Sequence, residues 1–422
     1  MAGIQDSTPQ DRAQGHSVEL MNTGASEEVI RSKHAALIGT PLLLIGVILA
    51  AANFRPAVTS MSSILGEVRT DLGASSLWAS VLTALPTVCF GIAAVAGPWL
   101  GRRLGMARAV ATALTVLTFG LILRVLDGEA VVLAGTFIAA GGIAIGNVLI
   151  PVVVKESFPN RVGLATGLYT AALNTGAALA SALTPPLNRG LGDWRLAVGA
   201  WALLGVAALI IWGLGARHGH AKRTVAAAEP GTRKTSLLRS PLAWAITGFF
   251  GTQSLVAYVA MGWITELFVS YGVPRDEAGL MLAVLSVLGV PLSLIIAPIA
   301  IRSKTQSGWI AGMIVVAMLG FLGLLFAPTA APWLWAVLIG AGMGVFSLAL
   351  GVVALRAKDS HDATRLSAMA QGFGYVVAAS GPLLFGLLHG ATGTWTVSLI
   401  VVLAVLCVEL VLGVIAGRAR YV

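Results

Sequence analysis

The chain has 422 residues, 57% of them hydrophobic and only 11% charged, with a mean hydropathy of +0.88. Soluble domains carry about 25% charged residues, so a water-soluble globule of this composition is excluded and lipid is the expected solvent. The net charge of +9 is read as basic loops facing the cytoplasm, because no zinc-finger spacing or basic–aromatic tract points to nucleic acid.

In chain order, residues 1–35 mix both signs of charge and are expected to form a disordered cytoplasmic tail. They lack the short apolar core and small-residue cleavage site of a secretory signal. Apolar runs of about 20 residues then predict twelve membrane-spanning helices. The first six runs are 36–62, 76–98, 107–126, 130–154, 162–184 and 195–215. The second six are 242–268, 277–300, 308–327, 331–355, 365–388 and 395–416. All are far too long for barrel strands.

An even number of spans returns both termini to one side. The loops after odd-numbered spans carry Arg69, Arg124, Arg189, Arg195 and Arg275, six basic residues with Arg55; the other 21 of 27 lie in the tails and even loops. Those tails and loops, with Arg102, Arg103, Arg108, Arg356 and Lys358 among their residues, are therefore expected in the cytoplasm. The longest internal break, 216–241, follows the sixth span. It predicts a six-helix bundle over 36–215, a cytoplasmic linker, a second bundle over 242–416 and a short tail at 417–422.

Internal similarity supports a duplicated unit. Gly167 and Gly176 are nine apart in the fifth span, and Gly372 and Gly381 are nine apart in the eleventh. Pro98 precedes Arg102 and Arg103 at the end of span two, as Pro298 precedes Arg302 at the end of span eight. Duplicated helical bundles rock about a central site. Cys89 and Cys407 both sit in apolar runs and are expected to be buried thiols with no disulfide or metal role. No hydrolase elbow, Walker loop or HExxH pattern suggests an enzyme, a metal or a cofactor.

Polar groups at membrane depth usually face a bundle interior, since lipid cannot satisfy them. Asn147, Pro151 and Lys155 share one face of span four, and Thr166, Thr170 and Asn174 one face of span five beside Tyr169. Span seven carries Gln253, Ser254, Tyr258 and Trp263, and span eleven Gln371 and Tyr375. For Asn147, Asn174, Gln253 and Gln371, helix–helix bonding and a cavity role stand side by side. Tyr258 lies mid-span, which favours a pocket over an interfacial belt.

Arg55 stands alone, with no other charge between Ala35 and Gly66 and with Pro56 beside it. Either it snorkels to the membrane surface, or a tilted helix holds it inside, where the proline loosens the backbone beside a binding site. In the second reading it offers a fixed charge and a donor fork to a small anion or electronegative group. The first six spans contain no carboxylate. Glu266 near the outer end of span seven is the candidate for proton coupling, and Glu409 in span twelve is expected to face the cytoplasmic interface.

The six-plus-six division and the loop "GPWLGRRLGMAR" (97–108) resemble the major facilitator superfamily. Gly97, Arg102 and Gly105 match its hallmark between spans two and three, while Gly101 stands where the hallmark has an aspartate. "NFRPAVTS" (53–60), "IGNVLIPVVVKESFP" (145–159), "GLYTAALNTGAA" (167–178) and "AQGFGYVVAASGPLLFGLLH" (370–389) resemble its cyanate and 2-nitroimidazole transporter branch. The resemblance implies a secondary transporter working by alternating access in the cytoplasmic membrane, as a monomer, on a small polar or anionic solute with or without protons. It favours the binding role for Arg55, with Asn147, Tyr169, Asn174, Gln253, Tyr258, Trp263, Gln371 and Tyr375 shaping the pocket. Arg102, Arg103 and Lys155 would serve the cytoplasmic gate or topology alone. The alternative is an efflux carrier for neutral nitroimidazole-like or drug-like compounds.

Overall fold

The computed structural model describes residues 35–37, 39–217, 220–222, 237–358 and 360–422. The expected disordered tail before residue 35, and linker residues 218, 219 and 223–236, lie outside the described residues. A short antiparallel ladder pairs β1 (Ala35–Leu37) with β2 (His220–Lys222). Everything else of regular structure among the described residues is helical.

The first span starts later than expected and is broken. Helix α1 (Pro41–Phe54) begins at a proline because Thr40 accepts a hydrogen bond from the Leu43 amide at 3.1 Å, and proline suits a first turn that needs no N–H. Arg55 separates α1 from α2 (Pro56–Ser63), and α3 (Leu65–Leu72) follows. Pro56 has no N–H to give the Ala52 carbonyl, so the helix parts where the sequence placed its proline. Next come α4 (Ser76–Leu104), α5 (Met106–Leu123), α6 (Glu129–Ser157), α7 (Val162–Leu191), the short α8 (Trp194–Gly199) and α9 (Trp201–Arg217). Ser75 and Asp193 cap α4 and α8 through the amides of Trp78 and Arg195.

The second half repeats the plan with α10 (Pro241–Ser270), α11 (Arg275–Arg302) and α12 (Ser307–Phe326). A pair broken at Gly344 follows, α13 (Pro332–Met343) and α14 (Val345–Arg356), and then α15 (Ser360–Thr392) and α16 (Thr396–Ala416). Each of the expected runs is thus occupied by helix. Among the described residues ten segments are long and apolar enough to cross a membrane; α7 is outside that set. In α7 the apolar run is diluted by Thr166, Tyr169, Thr170 and Asn174. Helices α4 and α11 pass through Pro98 and Pro298 to end at Leu104 and Arg302, where basic last turns suit the helix dipole.

Two hydrophobic cores organise the chain. One is built from α1, α4, α5, α6, α7 and α9 around Phe54, Leu114, Leu117 and Trp212. The other occupies the second half and continues into the first through Met61, Ile64, Leu65, Val68, Trp78 and Leu82. These lie at the end remote from the 216–241 linker, so the halves share a core at that far end. Helix α4 packs on α15, and α7 on α11, across the interface between halves. Small residues permit the approach: a Cβ on Gly279 of α11 would lie 2.5 Å from the Ser181 carbonyl of α7, and one on Gly386 of α15 2.2 Å from Ser80 Oγ of α4.

Three single-residue expectations are corrected. Arg124, counted with the loop after the third span, has no exposed surface, because it caps α5 and turns inward onto α2. Glu409 does not face the interface but is 2% exposed, on the stripe of α16 that also buries Leu406 and Gly413. Cys89 is buried as expected, but Cys407 is exposed on the outer face of α16.

Candidate functional site

The break between α1 and α2 holds Arg55 half-buried, with α7 alongside. Its Nη1 donates to Asn174 Oδ1 at 2.8 Å, and Asn174 Nδ2 donates back to its own helix at the Thr170 carbonyl, 2.9 Å. Two residues on, a Cβ at Gly176 would lie 2.1 Å from the Ala52 carbonyl, the one freed by Pro56. A glycine there lets α7 close on the break and brings Asn174 to Arg55.

From α7 the site spreads to α6, where the Tyr169 hydroxyl donates to Asn147 Oδ1 at 2.8 Å. The hydroxyls of Tyr169, Tyr258 and Tyr375 all lie within electrostatic range of the Arg55 guanidinium. Tyr258 comes from α10 and Tyr375 from α15, so both halves contribute. Phe90 of α4 stands between them, its ring centroid 5.8 Å from Tyr258 and 5.3 Å from Tyr375. Phe250 of α10 meets the Tyr375 ring edge-on at 5.3 Å. Among the described residues no carboxylate forms an ion pair with Arg55, whose hydrogen-bond partner is the neutral Asn174 amide. The arrangement is a cation with a neutral partner, three phenols nearby and an aromatic wall. It can accept an anion or a partly negative oxygen while stacking a flat group.

Not every expected residue joins this cluster. Gln371 lies one turn from Tyr375 on the same face and donates to Ser367 Oγ at 2.8 Å. Gln253 is buried, with the Ser254 hydroxyl 3.4 Å from its Oε1. Trp263 donates to the Pro382 carbonyl at 3.0 Å and packs against Phe385 and Trp395 inside the second half. No contact ties Gln253 or Trp263 to Arg55 among the described residues. Phe90 and Phe250 escaped sequence reasoning, since an apolar ring within an apolar run carries no signal of its own.

The hallmark loop lies at the linker end. Gly97 lets α4 meet α6, where a Cβ would come within 2.9 Å of Val148. Gly105, at φ 77°, makes the left-handed turn between α4 and α5. Gly101 is buried, and a Cβ there would lie 3.2 Å from a Leu149 methyl and 3.5 Å from Met106 Sδ, so a longer side chain would require these flexible ends to shift. Arg102 and Lys155 are exposed, and Arg103 stacks over Trp99 at 4.8 Å.

At the far end Glu266 is engaged in a latch between halves. Its Oε1 accepts from Arg275 Nη1 at 2.5 Å and from the Gly66 amide at 2.8 Å. Arg275 also pairs with Glu67 at 3.2 Å and donates to the Ser63 carbonyl at 3.3 Å. Asn188 bonds Glu67, and Arg189 pairs with Asp276. Glu266 therefore stands in an ion-paired cluster, separate from the Arg55 contacts.

Comparison with known proteins bears on all of this. The profile of the Major Facilitator Superfamily matches residues 42–382. The chain is 33% identical over 381 residues to the 2-nitroimidazole transporter of Escherichia coli (strain K12), covering 90% of this chain and 96% of that one. It is 29% identical over 355 residues to the cyanate transport protein CynX of the same organism, covering 84% and 91%. In fold it is similar to a bacterial homologue of the human lysosomal transporter Spinster, with a TM-score of 0.73 at 14% identity, covering 89% and 96%.

Proposed function

The chain belongs to the major facilitator superfamily, and from that premise we propose that it moves a small anionic or polar solute across the cytoplasmic membrane by alternating access. Arg55 is the charge ligand. The observation that carries this reading is a half-buried arginine at a proline break, bonded to a neutral amide and within electrostatic range of tyrosines from both halves. A cation so placed has capacity for one negative charge. Substrates of cyanate's size and charge fit that chemistry, and a relative is named for cyanate transport.

Twelve spans form two six-helix bundles, 36–215 and 242–416, with the linker and both termini cytoplasmic. In this reading the Arg275 latch seals the outer side, and the Arg55 site opens toward the linker side. Glu266, tied into the latch, would link any proton coupling to outer closure rather than to the ligand itself. A second reading has its own observation: Phe90, Tyr258 and Tyr375 form an aromatic wall beside Arg55. A neutral nitroimidazole-like compound could set its nitro oxygens on Arg55 and its ring on that wall.

Transport in proteoliposomes with cyanate and 2-nitroimidazole tests both. Arg55→Gln should weaken the transported solute's affinity about ten- to 150-fold, the loss of one charge-assisted contact of about 1.5–3 kcal/mol. Arg55→Lys keeps the charge without the fork and should be impaired less. Phe90→Leu should harm the nitro-aromatic alone. Normal transport by both Arg55 variants at equal expression would leave Arg55 an interface anchor and remove the binding site.

A further inference from the structure

At the linker-side end of the second half, the start of α10 and the end of α16 frame an open groove of about 510 Å³ that the Arg55 site does not use. Its walls are apolar, with Leu242 and Trp244 from α10 and Leu412 and Ile415 from α16. The Trp244 ring is exposed; its Nε1–H donates to the Leu238 carbonyl at 2.9 Å, and the ring tilts against the exposed Phe373 of α15 at 5.3 Å. A tryptophan at the end of a span marks the membrane–water interface. The rim is basic. Arg418 and Arg420 line it, both exposed, and no acidic residue joins them in the lining. Neither guanidinium forms an ion pair among the described residues. The tail that carries them is held at both ends. The Gly417 carbonyl accepts from the Gln306 amide at 2.9 Å and from Arg356 Nη2 at 3.0 Å, and the Val422 amide donates to the Arg356 carbonyl at 3.0 Å. Both arginines lie between these fixed points, so less ordering is left for a ligand to supply.

We propose that this groove binds one anionic phospholipid of the leaflet on the linker side, with its phosphodiester on Arg418 and Arg420 and an acyl chain along Trp244 and Leu412. Two positive charges with no acid beside them complement a lipid of net negative charge. In a zwitterionic lipid the headgroup's own ammonium already balances the phosphate. A soluble phosphate would meet the arginines but leave the apolar wall in water. That wall continues down α16 through the exposed Val408 and Val411, which share one helical stripe with Leu412 and Ile415 and follow the course of an acyl chain. The site is independent of the Arg55 reading and stands if that reading fails.

The test is native mass spectrometry of the purified full-length protein, titrated in detergent with phosphatidylglycerol, phosphatidylcholine or glycerol phosphate. One phosphatidylglycerol should bind more tightly than any that follow, and more tightly than phosphatidylcholine. Arg418→Gln/Arg420→Gln should weaken that first binding roughly thirtyfold, and Arg418→Lys/Arg420→Lys, which keeps both charges, should retain most of it. Arg302→Gln/Lys304→Gln removes the same charge from the same end of the second half, outside the groove, and should leave the first binding intact. Equal affinity for the two lipids overturns the proposal, as does an equal loss in the two glutamine double variants, which would make the effect one of general surface charge. Displacement of phosphatidylglycerol by glycerol phosphate would make the groove a soluble-anion site and also overturns it. So does a dimer that Arg418→Gln/Arg420→Gln dissociates, because a second copy of the chain would then occupy the groove.

Discussion

At the scale of single residues, glycines decide how close the helices come, and the two glycine pairs divide alike. A Cβ on Gly176 or Gly381 would lie 2.1 Å from the Ala52 carbonyl or 2.5 Å from Leu255, whereas Gly167 and Gly372 have nothing within 4 Å. The same member of each pair is the packing glycine, which supports a repeated unit. Gly176→Ala should push α7 from the break, cost about 1–3 kcal/mol as overpacking does, and slow transport by displacing Asn174 from Arg55. Gly372→Ala should leave melting and transport near normal. Parallel melting curves and uptake assays check both; equal tolerance at the two sites would mean that the α1–α7 contact does not position Asn174.

At the scale of elements, the latch joins α3 to α10 and α11 and carries a pH dependence. Partial burial raises the Glu67 carboxyl above its ordinary value; Arg275 and the Asn188 hydrogen bond pull it down, and Glu266 and Asp276 push it up. A raised value in the latched state means that this state binds the Glu67 proton more tightly than a solvated carboxyl would. Latching is therefore favoured as pH falls toward the ordinary glutamate range and loses that contribution as pH rises through the raised value. Probes at Gly190 and Ala330, one in each half, should show the latched population increasing with acidity. Glu67→Gln should flatten the response. A wild-type population insensitive to pH, or an unchanged slope in Glu67→Gln, would assign the pH response elsewhere or deny it.

At the scale of the whole molecule, thiol chemistry reads the orientation. In a Cys89→Ala/Cys407→Ala background, a cysteine at Asp127, 88% exposed in its side chain, should react with an impermeant reagent in intact cells. One at Thr232 in the linker should not. Arg275 is only 18% exposed within the latch, so a cysteine there should react when the far end opens. Labelling of Thr232→Cys from outside would invert the topology, because the basic residues concentrated in tails and even loops would then face outward.

What the sequence by itself determined is local. Twenty-residue apolar runs, the Thr40, Ser75 and Ser240 caps and the prolines at 41, 56, 241 and 332 set where helices start or part, since each acts within a turn of its own position. The membrane class followed from composition for the same reason. Tertiary structure alone decided which faces meet. Arg55 finds Asn174 and Tyr169 finds Asn147 across 119 and 22 residues; Phe90 enters the aromatic wall, Arg124 and Glu409 turn inward, and Cys407 turns outward. In water, polarity would mark which face of a helix is buried. In lipid both faces are apolar, so the pattern along a span is nearly silent about its neighbours, and only packing assigns them.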